Sequence, residues 1–224
     1  MGCGTVYLKR EAGRGDTVIA IIDYGAGNLR SVANAFARLG VSTAVTRQPN
    51  EIARAAGIIL PGVGAFADAM AALEGSGVIP ALRAAVADGT PLLGICLGMQ
   101  MLFDGSEEGP GVQGLGLIPG TVRRMTPSGL KIPHMGWNSL TLCKESLLTA
   151  GLPAEPYVYF VHSYACEAAD GADVLAVSEY GGLFHAAVQR GPVAGMQFHP
   201  EKSGGVGQQI LRNFVAMAGK GAGA

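Results

Sequence analysis

Apolar residues in this chain fall into short continuous runs separated by longer stretches in which they recur every three to four positions. Val18 to Ile22, Val41 to Thr46, Gly57 to Leu60 and Pro91 to Ile95 have the length and near-unbroken apolar character of strands buried on both faces. Between them, Arg30 to Leu39 reads as a helix stopped by Gly40, and Ala-rich helices are expected at about Ala65 to Glu74 and Val78 to Asp88. This alternation predicts an α/β fold, a doubly wound three-layer α/β/α sandwich around a mostly parallel central sheet. From Leu115 onward the segments shorten and turns multiply. Tyr157 to Ser163, Val174 to Glu179 and Leu183 to Gln189 are expected as antiparallel additions to the sheet, and Val193 to Phe198 as a further buried strand. One domain is expected over residues 17–217. A charged, Gly-rich extension, 1–16, precedes it and a small-residue tail, 218–224, follows, both expected to be flexible.

The strand ending at Ile95 runs into Cys96, which stands between Gly94 and Gly98 and is followed at once by a helical sequence. That pattern is a nucleophile elbow, a sharp strand-to-helix turn that tolerates only small neighbours on either side. The helix start directs free N–H groups and its positive dipole end at the sulfur, which favours thiolate over thiol. A thiolate nucleophile needs a base, and the base an orienter. His199 and Glu201 provide the pair in Phe198-His199-Pro200-Glu201, where Pro200 is expected to hold an extended turn and put both side chains on one side. His134 in an irregular stretch, His162 in a strand and His185 without a nearby carboxylate read as structural or surface histidines.

Sites in open α/β sheets lie beyond the carboxyl ends of the strands. Gly62, Val63 and Gly64 follow the third strand, and their backbone N–H groups together with that of Leu97 are candidates for an oxyanion hole. Gly25-Ala26-Gly27-Asn28 lacks the full spacing of a dinucleotide loop and an acidic ribose partner, so no nucleotide site is read there.

Cys96 in Gly94-Ile95-Cys96-Leu97-Gly98-Met99-Gln100 and the run Phe198-His199-Pro200-Glu201-Lys202-Ser203 resemble the class I, or triad, glutamine amidotransferases. Ile22 to Leu29, Leu60 to Phe66, Pro133 to Asn138 and Tyr159 to Tyr164 are similar, more narrowly, to the glutaminase subunits of imidazole glycerol phosphate synthases. The likeness runs from about Val18 to Phe214. It implies hydrolysis of L-glutamine, bound near Gly62 and Gln100, to glutamate and ammonia through a Cys96 thioester, with His199 as proton carrier and Glu201 as its orienter, and no metal or other cofactor. It also implies a heterodimer with a (β/α)8-barrel cyclase subunit that consumes the ammonia in histidine biosynthesis. Asn28, Trp137, Tyr159 and Lys202 occupy motif positions that the resemblance sets at or near that interface; on the residues alone, Trp137 equally suits a core, Tyr159 a strand face and Lys202 a solvated charge. Glutaminase subunits of other pathways, a cysteine hydrolase with the same elbow and a non-enzymatic binding module are the competing readings.

Composition adds exclusions. A net charge of −1 offers no basic face for nucleic acid, no apolar run approaches a membrane span, and 49% hydrophobic residues supply one good-sized core. The four cysteines, 3, 96, 143 and 166, lie far apart without paired spacing, which favours neither zinc nor a disulfide framework and suits the cytoplasm. Met1-Gly2-Cys3 starts like a myristoylation signal, but Val6 stands where Ser or Thr is required.

Overall fold

Five parallel strands form the centre of the molecule: β1 (Val18–Ile22), β2 (Ser42–Thr46), β3 (Gly57–Gly62), β4 (Leu92–Cys96) and β13 (Val193–Met196). The computed structural model describes residues 18–221; the expected N-terminal extension lies outside them. Strand order is β2-β1-β3-β4-β13, continuing antiparallel through β12 (Leu183–Arg190), β10 (Tyr164–Ala168) and β6 (Gly120–Arg124), beside which the short β5 (Gly105–Ser106) runs parallel; β11 (Val174–Glu179) pairs with β12, and β8 (Thr141–Leu142) with β11.

Alternation along these strands divides the core in two. Ile19, Ile21, Ile59, Leu93, Ile95, Ala194 and Met196 face one side, whereas Ala20, Ile22, Ile58, Leu60, Leu92 and Val193 face the other. The first side is closed by α1 (Leu29–Arg38), through Val32 and Phe36, and by α6 (Gly204–Gly221), through Ile210, Leu211 and Phe214. The second is closed by α2 (Pro49–Ala53), α3 (Phe66–Gly75), α4 (Ile79–Ala87) and α5 (Leu97–Met101). Both sheet faces are therefore dry, which is why the strands read as apolar runs and not as alternating sequence. Among the described residues no single helix is long and apolar enough to cross a membrane.

The structure corrects several expectations. Tyr157 to Ser163 does not join the main sheet: β9 (Tyr157–His162) pairs with β7 (His134–Ser139) as a separate two-stranded antiparallel sheet, so His134 opens a strand. Its inner face buries Val158 and Phe160, while Met135, Trp137 and Tyr157 remain exposed. Gly62 ends β3 and does not lie in the loop after it. The final helix carries through to Gly221, so Ala218, where the tail was expected to begin, is fully buried against Gly57; 222–224 lie outside the described residues.

The decisive topological step is the last strand. β13 inserts beside β4 in register, Met196 opposite Ile95 and Gly195 opposite Gly94. The two chain segments that leave these strand ends, a hundred residues apart in sequence, emerge side by side.

Candidate active site

Cys96 closes β4 with φ 56° and ψ −113°, and among the described residues it is the only non-glycine with positive φ. A backbone in that region costs about 1–3 kcal/mol and persists only where the surroundings dictate it. Here they do. A Cβ at Gly98 would overlap the Leu60 carbonyl oxygen, one at Gly94 would lie 2.6 Å from the Gly98 oxygen, and one at Gly62 would lie 2.5 Å from the Gly98 nitrogen. Gly62 sits opposite Cys96 in the β3–β4 ladder, so its small size is demanded by the elbow itself. The turn proper begins with Val63, which is 45% exposed, and Gly64, whose φ of +97° has no atom crowding it.

Leu97 is the first residue of α5, and its N–H has no partner within that helix. α5 is only five residues long, so the dipole of a long helix, expected to favour the thiolate, is not available at full strength. Side chains must supply the rest.

His199 arrives from the end of β13. Its Nδ1 lies 2.8 Å from Glu201 Oε1, with the two side chains only 4% and 1% exposed. Pro200–Lys202 form a tight 3-10 turn, and that turn, not an extended alignment, brings the carboxylate back to the ring. The His199 N–H donates to the Tyr159 carbonyl (3.0 Å), and Ser203 Oγ donates to the His199 carbonyl (2.7 Å) while accepting from the Tyr159 N–H (3.0 Å). With Nδ1–H engaged by Glu201, Nε2 is left for Cys96. Burial alone would pull the imidazole down, but hydrogen bonds to Cys96 and Glu201, with their charges, hold it up at about 9. Such a ring carries a proton at neutral pH. The second Glu201 oxygen, Oε2, is buried without a partner among the described residues.

Cys96, Leu97, His199, Val63, Gly64 and Gln100 line one cavity of about 300 Å³, so the catalytic, oxyanion and substrate candidates converge, with Gly62 directly behind them. Gln100 is buried and its Nε2 is already committed, donating to the Tyr164 carbonyl (3.2 Å) and to Gln197 Oε1 (3.0 Å). Two further cavity residues escaped the sequence reading. Glu108 lines the wall and accepts the Phe66 N–H at the start of α3 (2.9 Å) through one carboxylate oxygen; its only signal is an acidic pair, Glu107-Glu108, amid turn residues. His162 also lines it. Its Nδ1 faces the Tyr164 carbonyl (2.8 Å), so Nε2 is the acceptor for His134 Nδ1 (3.0 Å), and burial pushes His162 down to about 4. Burial likewise pushes the Tyr24 phenol and the Cys166 thiol up, in both cases with a smaller contribution from Cys96.

The four residues assigned to an interface fall outside the cavity. Trp137 is 56% exposed, which rules out core filling, and meets Tyr159 across the β7–β9 ladder with ring centroids 6.2 Å apart. Lys202 Nζ stands 5.7 Å from the centre of the same tyrosine ring. Asn28 is exposed and caps α1, its side chain accepting the Ser31 N–H (3.3 Å).

The family profile described as glutamine amidotransferase class-I matches residues 20–218, nearly the whole domain. The chain belongs to this family. Curated relatives include the imidazole glycerol phosphate synthase subunit HisH of Moorella thermoacetica, 52% identical over 196 residues that span 88% of this chain and 93% of that one. The subunit of the same name from Methanothermobacter thermautotrophicus is 51% identical over 198 residues, spanning 88% and 98%. Among solved structures, a crystal structure of a glutamine amidotransferase superposes with a TM-score of 0.71 at 22% identity, covering 90% of this chain and 98% of that one. PurLQS from Thermotoga maritima does so with a TM-score of 0.71 at 19% identity, over the same shares. These two likenesses show the amidotransferase fold, whose mostly parallel sheet and antiparallel additions are those described above.

Proposed function

We propose that this amidotransferase is the glutaminase subunit of an imidazole glycerol phosphate synthase, located in the cytoplasm and paired with a (β/α)8-barrel cyclase as a heterodimer. The identity to HisH subunits supports the pathway, and the strained Cys96 sharing one cavity with His199, whose ring is held from behind by Glu201, carries the chemistry. Cys96, Cys143 and Cys166 are all free thiols, which suits a reducing compartment.

Glutamine enters with its side-chain amide over Cys96. The Glu108 oxygen that takes no hydrogen bond among the described residues suits its ammonium group, and the Gln100 oxygen, likewise unengaged among them, offers a second polar anchor. The Cys96 sulfur attacks the amide carbon, and backbone N–H groups of Leu97 and of the Val63-Gly64 turn take the oxyanion. His199 Nε2 gives its proton to the amide nitrogen as the carbon–nitrogen bond breaks, releasing ammonia and leaving a thioester. Water then gives a proton back to His199 while attacking the thioester, and the carbon–sulfur bond breaks to yield glutamate. Glu201 keeps the ring oriented through both halves.

Ammonia freed into bulk water is protonated and lost as a nucleophile, so a partner must receive it directly. Trp137, Tyr159 and Lys202 form the docking patch in this reading, and Asn28 contributes from the start of α1. The patch is coupled to the chemistry through the Tyr159 backbone, which bonds to both His199 and Ser203. Gly64 can change peptide orientation at little cost, so completion of the oxyanion hole on partner binding is the natural gate. The test is glutaminase turnover with and without a co-purified barrel subunit. The isolated chain should bind glutamine but turn over roughly 10²-fold more slowly, the cost of one missing oxyanion donor; full speed in isolation would overturn the gating, and no glutaminase activity in the complex would overturn the function.

A further inference from the structure

Gln197 is fully buried, lies one residue beyond β13 and two before His199, and the triad mechanism leaves it without a task. A buried primary amide is costly unless its polar atoms are matched, and the way this one is matched fixes its direction. Tyr164 offers a backbone carbonyl, which can only accept. The Gln100 side chain within 3.2 Å of it must therefore present its NH₂ group, and the same nitrogen lies 3.0 Å from the Gln197 side chain. Gln197 must turn its oxygen toward Gln100, because the opposite orientation would set two NH₂ groups against each other. Its own NH₂ is then aimed at the Cys96 sulfur, 3.8 Å away.

The sulfur has a second contact at the same distance, the Val161 carbonyl oxygen. That oxygen can accept a thiol proton but repels a thiolate. Gln197 has the opposite preference, since an N–H donor strengthens as the sulfur becomes anionic. We propose that Gln197 is a hydrogen-bond donor to the ionised nucleophile, locked in that orientation by Gln100 and the Tyr164 carbonyl. It offsets the Val161 carbonyl when the thiolate forms, and it does so again when the carbon–sulfur bond breaks and the sulfur leaves as an anion. Gln100 thereby acts as a positioning residue as well as a cavity wall. The short α5 makes such a donor necessary, since a helix of five residues supplies little field.

Other ionisable groups around the sulfur stay constant in the comparison that tests this: His199 from the β13 end, His162 from β9, Cys166 from β10, Tyr24 beyond β1 and Glu108 on the cavity wall. The inference rests on Cys96 being the nucleophile, and one experiment separates the two. The full chain is treated with iodoacetamide across a pH series, and peptide mass spectrometry follows Cys96 against exposed Cys143 as an internal reference. In the unaltered chain Cys96 should be alkylated at lower pH than Cys143; failure here would overturn the nucleophile assignment. In Gln197→Met, of similar volume and without a donor, the pH of half-maximal Cys96 alkylation should rise by about one unit. Below it alkylation should slow about tenfold, with Cys143 unchanged. Gln197→Glu should move it further in the same direction. An unshifted Cys96 profile in a folded Gln197→Met chain would reduce Gln197 to packing and overturn the inference while leaving Cys96 in place. Should Gln197→Met not fold, Gln100→Met decides instead: it frees the Gln197 amide to flip, so a smaller upward shift supports the lock and no shift overturns it.

Discussion

His199 Nδ1 sits 2.8 Å from Glu201 Oε1 with both side chains almost wholly withdrawn from water. The bond fixes which ring nitrogen meets Cys96, but Glu201 touches neither the sulfur nor the proton in transit. Losing His199 and losing Glu201 should therefore have unequal consequences. His199→Asn removes the proton carrier, whereas Glu201→Gln keeps an oxygen that can face Nδ1–H. In steady-state assays of the complex, Glu201→Gln should retain roughly 10²-fold more glutaminase activity than His199→Asn. Equal loss in two folded variants would contradict the assigned roles.

The glycines around the elbow should separate packing from conformational strain. Gly98→Ala drives a methyl group into the Leu60 carbonyl, and the backbones of β3 and α5 leave it nowhere to go. A loss of about 3 kcal/mol or more, or failure to fold, is expected from denaturant titration. Gly64→Ala meets no atom and suffers only from its φ of +97°, for a cost of about 1 kcal/mol. Its larger effect should fall on turnover, through a stiffer oxyanion turn. Similar stability losses in both variants would undo the distinction.

Acid should weaken the fold through His162. Burial depresses it to about 4, so between pH 6.5 and 4 the unfolded chain binds a proton that the folded chain refuses. Stability is then full above pH 6.5 and falls as pH drops toward 4, by at most about 1.4 kcal/mol per pH unit for this one group. Buried His134, also lowered, works in the same sense. Urea unfolding of His162→Gln across that window should show a shallower decline than the unaltered chain. Parallel pH dependences would place the acid sensitivity elsewhere. His199 has the opposite sign, since a ring held at about 9 adds stability below pH 6.5 that is lost as pH rises through 9.

The parallel strands were legible because both sheet faces are dry and the apolar runs are unbroken. The β7–β9 sheet was not, since His134, Gly136 and Asn138 interrupt any pattern on β7 and its outer face is exposed. The convergence of Cys96 with His199 and Glu201 was legible from motif: the elbow needs its glycines and the turn after Phe198 its proline. Gln197 and Glu108 carry no such mark. A glutamine before Phe198 and a glutamate after Glu107 gain meaning only once β13 is set against β4 and the cavity has closed around the sulfur. The gathering of Trp137, Tyr159 and Lys202 into one patch likewise depends on strand register and the 3-10 turn, which no local sequence signal specifies.

In the proposed complex, glutamine hydrolysis at Cys96 is chemically separate from the use of the ammonia by the partner. The complex carrying Cys96→Ala, assayed once with glutamine and once with an ammonium salt at alkaline pH, tests it most directly. Synthesis should vanish with glutamine and persist at nearly the unaltered rate with ammonia. Loss of the ammonia-dependent reaction in a folded complex, or survival of the glutamine-dependent one, would contradict the account.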